Sequence, residues 1–221
     1  MKRAAALAVF LAAAASAAFG DPLEQARRRW AESPHGEMLE RILPPTVAPE
    51  RLPEAQSAGA RLLVRYCVQC HHLPNPAMHE ARRWPPVVER MVLRMRGKGN
   101  LGPLMADLMA GVASPSDEEK AQLLAYLRRH ALAPLDPRRL PEVAAPSAEA
   151  FRLACSQCHA LPDPARYRAE EWPRVVARMQ ENMEWMNRVI GTQPARGEPQ
   201  LRVADILAFL SRYARREPRA R

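Results

Sequence analysis

The chain has few aromatic side chains: four Trp, four Tyr and four Phe among 221 residues. Small domains so poor in rings have thin apolar cores, and thin cores call for a staple. The aromatics are not interleaved with basic residues, so there is no platform for stacking nucleic-acid bases. No stretch alternates apolar and polar residues between hairpin turns, which excludes a β-sandwich or barrel. After residue 20 no run is apolar for the roughly 20 positions that a membrane helix needs. Cysteine occurs four times, and all four lie in two short stretches, "CVQCHHLPNP" (67–76) and "CSQCHALPDP" (155–164).

What is present begins with "MKRAAALAVFLAAAASAAFGDP", a basic start followed by an apolar run and then small residues. That is the layout of a secretory signal peptide, so residues 1–20 are expected to be removed near residue 20 and the protein to be periplasmic. The formal charge of +9 loses Lys2 and Arg3 with that segment and becomes +7, nearly all of it from arginine. Residues 49–136 hold 12 basic and 9 acidic side chains, and residues 137–221 hold 15 and 10. Such a surface attracts anionic partners, and export makes an acidic protein the expected one rather than nucleic acid.

An offset of 88 residues lays "PERLPE" (49–54) on "PRRLPE" (137–142), and the register holds without a gap to Met95 and Met183, with 16 of 29 positions identical from Cys67. Beyond the methionines the register slips, and an offset of 83 pairs "LLAYLRRHA" with "ILAFLSRYA". Each copy reads as three helical stretches. One leads into the cysteines. One carries Trp, Val, Val, Met and Met at spacings of three and four, a single helical face. The last follows "SPSDEEK" in the first copy, where Ser114 or Ser116 caps it. The fold class is therefore all-α, in two tandem units. The expected boundaries are an N-terminal extension (21–48), a first unit (49–131), a proline-rich semi-rigid linker (132–148), a second unit (149–214) and a basic tail (215–221).

Cys-x-x-Cys-His places two thiols one helical turn apart, where they can add to the two vinyl groups of a porphyrin, with the histidine aimed at its iron. This is the spacing for covalent haem c attachment. A disulfide pair has no use for the histidine, a thioredoxin-like pair wants a βαβ setting, and a zinc site needs a fourth ligand in each unit. Two haem c groups are expected, held by Cys67 and Cys70 and by Cys155 and Cys158, with His71 and His159 as axial ligands. A buried porphyrin in each unit would supply the missing aromatic bulk.

On these motifs, the hydrophobic residue before each and the aromatics Tyr126 and Phe209 of each terminal helix, the chain resembles the class I cytochrome c family in its two-haem, two-domain form. The resemblance covers nearly all of residues 49–214. It implies a small helical fold wrapped around one haem per unit, with the first and last helices crossing where Tyr126 and Phe209 pack. In similar small domains with a Trp-x-x-Val-Val-x-Arg-Met segment, that methionine is the sixth ligand, which points to Met91 and Met179, with Met95 and Met183 as the alternatives. The family's commoner loop position brings in Met105, Met109 and Met186. A methionine raises the potential of the iron, yet methionine on an apolar helix face is also ordinary core filler.

Trp84 and Trp172 are expected to pack against haem or shield its propionates, and Arg90 and Arg178 either pair with a propionate or are solvated. His72 and His79 have no histidine counterpart in the second unit and are read as surface residues. The expected function is single-electron transfer, as a free shuttle or as the haem subunit of a dehydrogenase, and not an enzyme in its own right. The alternative is a dihaem enzyme such as a peroxidase, which needs one iron with an open site and an acid–base group beside it.

Overall fold

The computed structural model describes residues 22–190 and 201–216. The expected signal peptide and residues 217–221 of the tail lie outside the described residues. Among those described, every regular element is helical, and the only extended pairings are two isolated bridges, Glu80 with Leu132 and Pro134 with Pro162.

Two helices, α1 (Pro22–Glu32) and α2 (Gly36–Ile42), precede the first unit. That unit contains α3 (Ala58–Cys67), α4 (Trp84–Met95), α5 (Pro103–Met109) and α6 (Asp117–Arg129). The second contains α7 (Glu149–Cys155), α8 (Trp172–Ile190) and α9 (Val203–Arg212). Local chemistry explains the ends. Ser57 caps α3 by accepting from the Ala60 amide. Ser116, not Ser114, caps α6 in a reciprocal box with Glu119, and three acids fill its first turn. Helix α4 stops at Gly97, which takes a left-handed φ of 76° and lets the Lys98 amide reach back 2.9 Å to the Leu93 carbonyl. Its counterpart at an offset of 88 is Trp185, which has no such freedom, and α8 runs on to Ile190. The repeat loses register because one helix has a stop residue and the other does not.

Two apolar cores result. Leu63, Val68, Trp84, Val88, Val92 and Tyr126 are buried in the first, and Phe151, Trp172, Val176, Ile206, Phe209 and Leu210 in the second. Around each, the same small devices recur. Asn75 and Asp163 each cap a short turn by accepting from the amide two residues on, at 2.9 Å. The indole N–H of Trp84 donates to the Pro76 carbonyl at 2.9 Å, and that of Trp172 to the Pro164 carbonyl at 3.0 Å. The carbonyls of Leu73 and Leu161 accept from Val47 and Leu135, and those of His79 and Tyr167 accept from Leu132 and Arg215.

The expected semi-rigid linker, 132–148, packs against both units: Val143 and Ala148 are buried in the second core, and Leu132 and Leu135 bond to the first and second units respectively. The proline-rich run forms two short 3-10 turns, Pro141–Ala144 and Pro146–Ala148, that pack rather than extend. His79 is half-buried, its ring edge-on to Trp84 at 5.0 Å as Tyr167 is to Trp172, and His72 is half-buried too, held to the Pro44 carbonyl.

Candidate functional site

Each Cys-x-x-Cys-His motif starts where a helix ends, at Cys67 of α3 and Cys155 of α7, so the second thiol and the imidazole sit on a turn beyond the last helical residue. The two imidazoles are held alike. Nδ1 of His71 lies 2.7 Å from the carbonyl oxygen of His72, and Nδ1 of His159 lies 2.7 Å from that of Ala160. A carbonyl only accepts, so Nδ1 carries a proton in each ring, and in the neutral form of the ring Nε2 keeps the bare lone pair. That is the tautomer of an imidazole set to ligate a metal through Nε2. Burial pushes the His71 imidazole below its ordinary value and keeps the ring neutral.

All four cysteines are free thiols. Burial, with Cys70 beside it, pushes the Cys67 thiol up to about 12, and burial, with Cys158 beside it, pushes Cys155 up to about 11. Cys70 is raised by burial against the opposing pull of the Arg29 guanidinium. Redox-active thiolate pairs have lowered values, so these thiols are poised in the opposite sense. Among the described residues no three His, Cys, Asp or Glu side chains form a group able to hold a metal ion by themselves.

The methionines divide. Met95 is half-buried and packs on the first core, whereas Met91 is half-buried outside that cluster. Met179 and Met183 are both half-buried, and neither belongs to the second core. Met109 of α5 brings its sulfur 3.7 Å from that of Cys70. Met186 is not in a loop but within α8.

Trp84 and Trp172 are 3% and 1% exposed, and their indole N–H groups are committed to the proline carbonyls, so neither donates to a propionate. Tyr126 donates its hydroxyl to the Pro53 carbonyl at 2.7 Å, and Phe209 stacks on Phe151 with centroids 5.0 Å apart. Arg90 is exposed, but Arg178 is half-buried, and its Nε has neither water access nor a hydrogen-bond partner. Nε1 of Trp185, seven residues further along the same face of α8, is buried and unpartnered as well. Buried donors without acceptors are rare, and a carboxylate brought to this face would satisfy both. Trp185 was not legible as a site residue because its counterpart is the stop residue Gly97. These features fit a covalently held haem: two free thiols and an imidazole bonded through Nδ1 in each unit, and unpartnered donors in the second.

The N-terminal extension, for which the sequence offered no role, closes over the first motif. Arg29 of α1 donates to the carbonyls of Gln69 and Ala110, His72 Nδ1 lies 2.6 Å from the Pro44 carbonyl, and the Val47 amide donates to the Leu73 carbonyl. Ala26 of α1 is buried in the first core.

No family model, curated protein or solved structure matches the chain.

Proposed function

We propose that the chain is a periplasmic two-haem cytochrome c that relays single electrons, either free or as the haem subunit of a dehydrogenase. The observation that carries this reading is the pair of motif histidines, each fixed by its own Nδ1 bond to the next carbonyl and each following two free cysteines. Bound haem iron would supply the one-electron redox change. The protein's part is to anchor, orient and shield. Cys67 and Cys70, and Cys155 and Cys158, tether; His71 and His159 ligate; Met91 and Met179 complete the axial pair; Arg178 and Trp185 offer donors to an acidic edge. The raised thiol values weigh against a dithiol redox pair.

The test is the mass and spectrum of protein exported with haem-attachment machinery. Two haems per chain, resistant to acid–acetone extraction, are expected. A mass corresponding to none or one overturns the reading.

A further inference from the structure

The two units present the same motif to different surroundings. In the first unit Gln69 is half-buried, and its side-chain amide clasps residue 113 in both directions, donating to the Ala113 carbonyl at 3.0 Å and accepting from the Ala113 amide at 2.8 Å. Arg29 crosses to the Gln69 carbonyl from the other side, Val68 is wholly buried, and Cys70 is half-buried against Met109. In the second unit the matching Gln157 is exposed and folds back onto the Leu153 carbonyl of its own helix. Ser156 stands in place of Val68 and is exposed, as is Cys158. Leu153, 52% exposed, stands in place of Arg65, which the first unit ties to Glu119 at 3.3 Å. The same glutamine thus serves as a clasp in one copy and lies open in the other.

We infer that the surface of Leu153, Ser156, Gln157 and Cys158 is where this protein exchanges electrons with an acidic one-electron carrier protein, and that the first unit is the covered centre behind it. This rests on the haem reading above. The sulfur that would bear the thioether at Cys158 is itself at the surface, so the reacting edge in the second unit lies one bond from solvent, while the corresponding sulfur of Cys70 lies beneath α1 and α5. A small patch with an apolar centre is suited to a transient encounter. The second half of the chain also carries the larger positive excess, 15 basic against 10 acidic residues, which attracts an acidic partner. Exchange moves one electron from the partner's reduced centre to the second-unit centre, and no bond forms or breaks.

The experiment uses the haem-loaded full chain, its two haems verified by mass, with an acidic [2Fe–2S] ferredoxin as the probe carrier. The double substitution Leu153→Glu, Ser156→Glu and the single substitution Arg61→Glu, on an exposed position of α3, change the net charge by the same amount. Association with the second-unit variant is expected to slow about tenfold at low salt, and Arg61→Glu to stay close to the wild type. Hydroxyl-radical footprinting of the wild type should show Leu153 protected by the ferredoxin. Equal slowing in both variants, or no protection of Leu153 at low salt, overturns the inference and leaves the haem reading standing. A chain found to carry no haem removes both.

Discussion

A β-carbon placed on Gly59 would lie 2.3 Å from the Cβ of Tyr126 and 2.7 Å from its Cγ. The first and last helices of the first unit, α3 and α6, therefore touch backbone to side chain at this point, and the Tyr126 ring is held from its far end by the bond to Pro53. Because the obstructing atoms are the root of the tyrosine, a rotamer change cannot relieve the contact. Gly59→Ala should cost about 1–3 kcal/mol by overpacking. Urea unfolding of the protein, followed in the first unit, measures this; an unchanged midpoint would show that the helices can part freely.

Trp84→Phe and Trp172→Phe should each remove one buried hydrogen bond and leave the Pro76 or Pro164 carbonyl without its donor. The expected loss is about 1–3 kcal/mol in each case. Since both indoles are buried and both bonds are near 3 Å, the two losses should be similar. A marked inequality between them would mean that the two turns are not equivalent.

Under the proposed function, Met91→Ala and Met179→Ala should each abolish about half of the long-wavelength sulfur-to-iron band, lower one of the two potentials and admit cyanide at one site. Met95→Ala should leave the band intact and cost about 2 kcal/mol, the low end for a core methionine because the side chain is only half-buried. Met183, outside the second core, should cost less. Loss of the band in Met109→Ala instead of Met91→Ala would assign the first-unit ligand to α5, whose sulfur already approaches Cys70.

Glu119 accepts from the Tyr66 hydroxyl at 2.7 Å and from the Ser116 amide at 2.9 Å, and these bonds, with Arg65 nearby, hold its carboxyl below its ordinary value of 4.5. A carboxylate lowered in this way adds stability above its unfolded value, and that stability is lost as pH falls through the folded one. Tyr66→Phe should lower the thermal midpoint at pH 7, and the gap to the wild type should shrink as pH falls below 4.5. In the second unit Ala154 and Arg202 occupy the matching places, so its transition should not share this response. A gap that stays constant with pH would uncouple Tyr66 from the charge of Glu119.

The helices and the duplication were legible because they rest on local signals: apolar spacing, first-turn prolines, the serine cap and a register of 88 residues. Gly97 could have been read as a stop, since its counterpart is Trp185 and the register breaks just there. What could not be read was anything set by meetings across the chain. The closure of residues 22–48 over the first motif depends on Arg29 and Val47 reaching main-chain carbonyls and on the His72 ring reaching that of Pro44, and main-chain acceptors leave no mark in a sequence. Gln69 and Gln157 show the limit most plainly, for an identical residue at an identical motif position has two different partners. The lone Nε groups of Arg178 and Trp185 are likewise visible only once their surroundings are known.

Arg166, in the short turn after the second motif, sends its guanidinium into the end of the first unit, donating to the Ala131 carbonyl at 2.6 Å and to the His130 carbonyl at 3.2 Å. The bridge between Pro134 and Pro162 lies alongside. The two units are thus riveted at a joint by side-chain and main-chain bonds as well as by the chain between them. Tunnelling between redox centres falls off exponentially with their separation, so under the proposed function the internal hop would have one gap length and one rate, indifferent to solvent viscosity. Cutting the rivet with Arg166→Ala would replace that single rate with a spread of rates, and stirring of the solvent would begin to matter.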